Sequence, residues 1–185
     1  MTRLSLIKAC VAVAALAAGG ESMAYEQAFS KTPVDEIVVR QLPPGRWLAT
    51  EMPGDYFARS DRLFMRLFDY IRDNDVAMTV PVEGTLEGAG MRFYGGIGAP
   101  PGLSDTGTVR IVDVPARQVV SIGGRGSYNE ENLAEARVRL TQWLAEQTEW
   151  VGAGEPYGVF WSGPFTPWFM KRFEVHLPVQ AAGGG

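Results

Sequence analysis

The sequence is poor in metal-binding side chains, with one cysteine, Cys10, and one histidine, His176, among 185 residues. Structural zinc sites, covalently attached haem and iron–sulfur clusters need several Cys or His ligands, so this composition excludes them. Basic residues are also few, with 17 Lys and Arg against 21 Asp and Glu and a net charge of −4. A chain without a basic surface is not expected to bind nucleic acid. Hydrophobic residues make up 46% of the sequence, which is enough for a folded core.

Long apolar runs are also lacking. The apolar stretch over residues 9–18 is too short for the roughly 18 residues that a membrane-spanning helix needs. Arg3 and Lys8 precede it and small residues follow, an order that predicts a secretory signal peptide over residues 1–24, cleaved after Ala24. A retained anchor helix is the alternative. Cleavage would leave 161 of the 185 residues, without cysteine or integral membrane segment, as one periplasmic or secreted domain.

The residue pattern of the remaining chain predicts a strand–strand–helix–strand–strand unit that occurs twice. The predicted strands are 34–41, 46–52, 77–82 and 91–97 in the first unit, and 109–114, 118–123, 157–161 and 172–179 in the second. The Gly-rich end, residues 181–185, is expected to be disordered. Two such units predict an α+β fold with a curved, mostly antiparallel sheet or distorted barrel and both helices packed across it.

Each predicted helix has an apolar stripe. The first, residues 56–72 after the capping residue Asp55, has apolar residues at i, i+3, i+4 and i+7, which predicts that they are buried: Phe64, Leu67, Phe68 and Ile71. The second covers residues 130–147 after Asn129, and its stripe consists of Leu133, Ala136, Leu140, Trp143 and Leu144. We interpret Glu130 and Glu131 as charges that stabilise the start of this second helix, not as an acid–base pair.

Residues that suggest catalysis or phosphate binding have simpler structural interpretations. His176 alternates with the apolar residues of the last strand, and this places it with Glu174 and Arg172 on the polar face, where it need not be buried. The sequence Gly123-Gly124-Arg125-Gly126 lies between a strand and a helix but lacks the remaining residues of a phosphate-binding loop. We interpret these glycines as a sharp exit from the strand.

Aromatic residues form two dense groups. One is on the first helix, and the other runs from Phe160 to Met170 and is too rich in proline for a continuous helix or strand. This second group predicts a structured loop, which either plugs the open end of a barrel or lines a cleft for a flat apolar ligand.

Two motifs resemble the SOUL haem-binding family. They are Leu67-Phe68-Asp69-Tyr70-Ile71 with Asn74 and Met78-Thr79-Val80-Pro81-Val82, and the closing stretch from Gly163 through Phe165-Thr166-Pro167-Trp168 to Val175. The resemblance covers about residues 33–179. It implies two pseudo-symmetric halves and a hydrophobic cleft for haem or another tetrapyrrole, between the first helix and the loop before the last strand. The architecture also resembles gyrase-inhibitor-like effector-binding domains, which hold varied apolar or cationic compounds.

From this resemblance we expect a binding protein, not an enzyme. The expected lining residues are Phe64, Met65, Phe68, Trp168, Phe169 and Met170, with Arg62, Arg66 and Lys171 as partners of the haem propionates. Phe173 replaces the family's usual Asn, and no histidine occupies a family position, so we expect non-covalent haem binding without a strong axial ligand. Two other hypotheses remain open: a broad-specificity small-molecule binder, and a hydrolase in which Glu174 acts as acid or base.

Overall fold

The computed structural model describes residues 25–96, 102–163 and 165–183. The predicted signal peptide, the end of the predicted strand 91–97 with the residues up to 101, Pro164 and the last two residues of the predicted tail lie outside the described residues. The two helices are α1, Tyr56–Asp73, and α2, Glu130–Ala145. The strands are β1 (Glu26–Gln27), β2 (Ile37–Leu42), β3 (Gly45–Met52), β4 (Thr79–Val80), β5 (Val82–Thr85), β6 (Ala89–Tyr94), β7 (Arg110–Val114), β8 (Arg117–Arg125), β9 (Trp150–Gly152), β10 (Tyr157–Phe160) and β11 (Arg172–Ala181).

The main sheet is antiparallel throughout, and its strands follow the order β2-β8-β11-β10-β5-β6-β3-β7. β9 extends it by pairing with the end of β11. The sheet curls into a half-barrel and both helices pack on it, which confirms the predicted α+β fold. No helix in the described ranges is long and apolar enough to cross a membrane.

Helix α1 begins at the predicted cap, where the Asp55 side chain accepts a hydrogen bond from the Ala58 amide. Its buried face differs from the prediction, because Phe68 is 38% exposed. The face against the sheet consists of Leu63, Leu67, Tyr70 and Ile71. Tyr70 can be buried because its hydroxyl donates to the Ser104 carbonyl oxygen at 2.8 Å. The helix is therefore rotated toward Leu63 and Tyr70 relative to the predicted stripe.

Helix α2 follows its prediction closely. Asn129 caps it by accepting from the Asn132 amide at 3.0 Å, and Leu133, Ala136 and Leu140 are fully buried. Trp143 and Leu144 are partly buried against the same core. Glu130 and Glu131 lie in the first turn, as expected for charges that favour a helix start.

The predicted strands differ from the observed ones most clearly in two places. Pro81 divides the predicted strand 77–82 into β4 and β5, because proline cannot donate to a ladder. Strand β8 continues through Gly123 and Gly124, so these glycines do not form the exit. A Cβ on Gly123 would lie 2.2 Å from the Pro33 carbonyl oxygen. The exit lies at Gly126, whose φ of +133° favours glycine.

The other unpredicted elements are β1 and β9. β1 belongs to a segment that we call the N-terminal segment, residues 25–34, and it pairs in parallel with β4. The last strand includes Ala181, one residue into the predicted tail. The N-terminal segment lies against the sheet face opposite the helices, which we call the far face. A small apolar cluster there joins Val80, Tyr157, Val159 and Trp161, with Phe29 packed against it.

Candidate functional site

The predicted site residues of α1 lie on its outer surface. Arg62, Met65 and Phe68 are exposed, and Phe64 is half-buried with its ring centroid 5.2 Å from that of Phe93. Phe64 and Phe68 stack at 5.8 Å. Arg66 is half-buried and donates to the Glu51 carbonyl oxygen at 3.3 Å. This surface of α1 therefore presents a narrow apolar strip, and Arg62 is exposed on the same helix.

The aromatic residues before β11 form an exposed loop. We call residues 165–170 the aromatic loop. It includes a single 3₁₀ turn, Trp168–Met170, with no buried residue. Its large apolar side chains are mostly exposed: Phe165 98%, Trp168 66%, Phe169 55% and Met170 53%. The exposed side chains of the aromatic loop do not plug the open end of a barrel, so that interpretation of the loop is wrong.

The residues that support the aromatic loop connect it to the start of α1 and not to the strip. Among the described residues, no ring of the loop contacts a ring of the helix. Instead, the Phe160 ring, at the end of β10, stacks on Tyr56 with a centroid distance of 5.9 Å and lies 4.8 Å from that of Tyr128. Tyr56 is the first residue of α1, and Tyr128 contacts both ends of the loop. These rings therefore connect the base of the loop to the start of the helix.

Tyr128 holds the two chain segments beside the aromatic loop together. Its hydroxyl accepts from the Ser162 amide at 2.8 Å and donates to the Arg172 carbonyl oxygen at 2.8 Å. The Arg172 amide in turn donates to Ser162 Oγ at 3.0 Å. Lys171 is half-buried, with its ammonium 5.0 Å from the centre of the Tyr128 ring. The base of the loop is thus fixed, while its tip is exposed to solvent.

His176 and Glu174 do not lie on a solvent-exposed face, which corrects the prediction. Both residues have 0% of their surface exposed. The far face is covered by the N-terminal segment, and the Phe29 ring lies 5.7 Å from the His176 ring. Alternation along β11 placed these residues opposite the apolar core correctly, but it did not reveal the second layer that buries them.

A directed chain of hydrogen bonds links the buried polar residues of the far face. Arg117 donates through Nε to the Tyr157 hydroxyl at 3.3 Å, and this hydroxyl lies 3.3 Å from His176 Nδ1. His176 Nε2 lies 2.7 Å from Glu174 Oε2. We place a proton on Nε2, because the histidine then donates to Glu174 through Nε2 and can accept from Tyr157 through Nδ1. Burial raises the pKa of the Tyr157 phenol, which keeps its proton available for this bond.

Each carboxylate of the far face has cationic or hydrogen-bonding partners. Glu83 pairs with Arg92 at 2.9 Å and with Arg117. Burial alone raises the pKa of the Glu174 carboxyl, but hydrogen bonds from His176 and Thr32 outweigh burial and lower it below its ordinary value. The hydrogen bonds from His176 and Thr32 therefore keep Glu174 in its ionised, carboxylate form.

The hypothesis that Glu174 acts as acid or base in a hydrolase does not fit this geometry. Glu174 lies beneath the N-terminal segment, away from the aromatic loop, and its lowered pKa disfavours a proton donor. Arg172, which the sequence places on the same face of the last strand as Glu174, donates to the Thr32 carbonyl oxygen at 2.8 Å. Both ring nitrogens of His176 are also occupied, so no free imidazole nitrogen is available to activate a nucleophile.

The positions of Thr32, Tyr128 and Tyr157 beside the candidate site do not follow from the sequence pattern. The sequence contains one signal that the far face is covered. β10 reads Tyr-Gly-Val-Phe, followed by Trp161, and is apolar on both faces, a pattern typical of a strand covered on both sides. The identity of the covering segment was not readable, because residues 25–33 show no clear periodicity.

Comparison with known families settles the relationship of the chain. The sequence-family model described as SOUL heme-binding protein matches residues 21–178. The chain belongs to the SOUL family. This confirms the resemblance found in the two motifs and supports a role in binding haem or another small molecule. Among curated proteins, none matches the sequence.

Solved structures share the fold of this SOUL-family member at low sequence identity. The C-terminal domain of EcmrR matches with a TM-score of 0.62 and 13% identity over 78% of this chain and 97% of that domain. In a cryo-EM structure of an EcmrR–DNA complex, the TM-score is 0.63 at 13% identity, and the match spans 57% of the EcmrR chain and 78% of this one.

Two further structures also share only the fold. A hydrolase from Listeria innocua matches with a TM-score of 0.54 and 13% identity, over 80% of this chain and 94% of that one. SAV2435 bound to tetraphenylphosphonium matches at 0.50 and 10% identity, over 78% of this chain and 94% of that one. The SOUL family itself is a family of binding proteins, whereas the name of the Listeria innocua protein is that of an enzyme.

The residues present fit a porphyrin better than they fit its iron. Exposed flat rings such as Trp168 and Phe169 suit stacking, and Arg62 has no ion-pair partner among the described residues. The iron is less well served, because both nitrogens of the single histidine already have hydrogen-bond partners. Met65 and Met170 are the exposed sulfur ligands that remain for it. Thioether sulfur is a weaker haem ligand than imidazole or thiolate.

Proposed function

We propose that this protein binds haem or a related tetrapyrrole, non-covalently and outside the cytoplasm, on the aromatic loop together with the apolar strip of α1. One observation carries the proposal: Phe165, Trp168, Phe169 and Met170, four large apolar side chains in one short loop, are each more than half exposed. A contiguous exposed apolar patch is costly in water and marks a binding surface.

The chemistry of the patch favours a flat, largely apolar ligand with acidic edges. Trp168 and Phe169 meet edge to face at 5.8 Å, so their outer faces offer two differently oriented stacking surfaces. Arg62 and Lys171 supply positive charge for propionates, whereas Arg66 is committed in part to Glu51. Stacking without a strong iron ligand favours an affinity near micromolar, about −8 kcal/mol.

The iron, when haem is bound, would supply redox and ligand-binding chemistry, and the residues described here supply packing and charge. The first test therefore compares haemin with metal-free protoporphyrin. We expect their dissociation constants, measured by quenching of tryptophan fluorescence, to agree within about tenfold, or roughly 1.4 kcal/mol. This result follows if packing and not coordination holds the ligand.

A histidine variant provides the control for that comparison. Replacing His176 by glutamine keeps a buried hydrogen-bonding side chain beside Glu174 and should leave the haemin Soret position and affinity unchanged. Loss of haemin binding in this variant, with protoporphyrin binding intact, would identify His176 as an axial ligand and overturn the packing account.

A broad-specificity small-molecule binder is the alternative function, and a competition assay separates the two. Tetraphenylphosphonium, found on SAV2435, is a bulky aromatic cation. In the present chain the far-face carboxylates Glu83 and Glu174 are already paired with arginine side chains, which disfavours a cationic ligand there. We expect tetraphenylphosphonium not to displace protoporphyrin. Equal competition would favour the broad-specificity binder.

Export is part of the proposal and has its own test. Because the apolar stretch over residues 9–18 is too short to remain as an anchor, we expect the exported protein to begin at Tyr25. Intact-mass measurement on protein from the extracytoplasmic fraction checks this. A mass that retains residues 1–24 in a membrane fraction would support the anchor helix instead.

A further inference from the structure

The N-terminal segment contacts the stretches on both sides of the aromatic loop. On the side that precedes the loop, the Lys31 ammonium lies 5.3 Å from the centre of the Trp161 ring, and the Phe29 ring meets Trp161 edge-on at 5.4 Å. On the side that follows the loop, the Thr32 carbonyl oxygen accepts from Arg172 Nη2 at 2.8 Å. The segment therefore bridges the two ends between which the loop is suspended.

Thr32 anchors this bridge to the sheet. Its amide donates to Glu174 Oε1 at 2.8 Å, and its hydroxyl donates to Glu174 Oε2 at 2.8 Å. The same hydroxyl accepts from Arg40 at 3.0 Å and lies 2.7 Å from Ser121 Oγ. Thr32 is 1% exposed, so all of these bonds are shielded from water and are costly to break.

The sheet is shaped to receive the segment. Gly123 offers its backbone without a side chain at the point where Pro33 crosses, and the Asp35 amide donates to the Gly123 carbonyl oxygen at 2.9 Å. At the other end of the segment, the Ala28 amide donates to the Val80 carbonyl oxygen at 2.9 Å. Main-chain bonds at both ends thus fix the register that brings Thr32 to Glu174 and Lys31 to Trp161.

We propose that the N-terminal segment is a positioning element of the ligand site. Thr32, fixed by Glu174, holds Arg172 at the end of the aromatic loop, and its neighbours in the segment hold Trp161 before the loop, so that the exposed rings are ordered for the ligand. This inference rests on the proposed function. None of the residues in the 3₁₀ turn of the loop is buried, so the order of the loop depends on its ends. A loop that is ordered before binding loses less conformational entropy when a porphyrin stacks on it.

The test compares two substitutions at Thr32 in the full chain. Thr32→Val removes the hydroxyl and its bond to Glu174, and we expect hydrogen exchange at the loop amides of Thr166 and residues 168–171 to become faster and protoporphyrin affinity to fall about tenfold. Thr32→Ser keeps the hydroxyl and should restore both. Thr50→Val is the matched control. Thr50 lies in strand β3, is as buried as Thr32, and donates through its hydroxyl to the Thr108 carbonyl oxygen at 2.8 Å. It should change neither readout.

A second variant covers the possibility that Thr32→Val fails to fold. Phe29→Ala removes the ring contact with Trp161 and leaves the Thr32–Glu174 bonds intact, and it should speed loop exchange with a smaller loss of affinity. Unchanged loop exchange in both folded variants would overturn the inference, and so would faster exchange with unchanged affinity. If the native protein binds no porphyrin, the proposed function fails, and the exchange measurement alone still decides whether the segment orders the loop.

Discussion

Replacing Trp168 by alanine is expected to weaken the binding of haemin and protoporphyrin equally, by about tenfold or more, and to leave protein stability almost unchanged. Trp168 is 66% exposed, so little of its ring contributes to the folded core. A stacked aromatic pair contributes about 0.5–1.5 kcal/mol beyond the area that it buries, and the lost contact area adds to this. Titration of each porphyrin, followed by absorbance, and urea unfolding measure the two quantities.

Val138→Ala is the control for this experiment. Val138 is 53% exposed on α2, which carries none of the predicted site residues, and its removal should affect neither porphyrin. If the Trp168→Ala protein bound both porphyrins with native affinity, the aromatic loop would not be part of the binding site. A loss confined to haemin would instead point to the iron.

Replacing Leu67 by alanine is expected to reduce the free energy of unfolding by about 2–5 kcal/mol, whereas Phe68→Ala should cost about 1 kcal/mol. Leu67 is fully buried in the core between α1 and the sheet, and its truncation leaves a cavity. Phe68 is the next residue on the same helix but is partly exposed, and among the described rings it stacks on Phe64 alone. Urea unfolding of the two variants, monitored by circular dichroism, compares them.

The two variants control for each other, since they share a helix, a neighbourhood and a substitution to alanine. Equal losses of stability would mean that α1 is rotated from the orientation described, with Phe68 in the core. A larger loss of stability for Phe68→Ala than for Leu67→Ala would show that the buried face is the one that periodicity alone predicts.

The difference between predicted and observed faces of α1 has a clear physical origin. Residues 63, 67, 70 and 71 form one helical stripe, and residues 64, 67, 68 and 71 form another that overlaps it. Hydrophobicity favours the second, because tyrosine counts as partly polar. The first is buried because Ser104 provides a partner for the Tyr70 hydroxyl, a contact across 34 positions that local pattern cannot supply. Helix α2 has only one consistent stripe, and its prediction is confirmed.

The far face illustrates a second limit of sequence patterns. In β11 the alternation of Phe173, Glu174, Val175 and His176 is the pattern expected for a strand with one wet face. A polar face that is covered by a segment with matching hydrogen bonds gives the same pattern, because its groups are satisfied by protein instead of water. The N-terminal segment has two strand residues, too few for periodicity to reveal them.

For the candidate site, the sequence predicted the composition of the loop but not its support. Two prolines exclude regular structure from residues 164–167, and this follows from the sequence alone. Whether the rings then fold inward or outward depends on Tyr128 and the N-terminal segment, which are distant along the chain. The exposure of Trp168 thus depends on tertiary contacts, which the local sequence does not reveal.

The paired charges of the far face also restrict how this protein can vary in evolution. Glu83 is buried between Arg92 and Arg117, so loss of either partner leaves a buried carboxylate with incomplete compensation. Breaking a buried ion pair from one side costs about 3–5 kcal/mol, whereas replacing the whole group with apolar residues is often neutral. Single substitutions at these three positions are therefore selected against, and descendants of this sequence are expected to exchange the three residues together or to retain all of them.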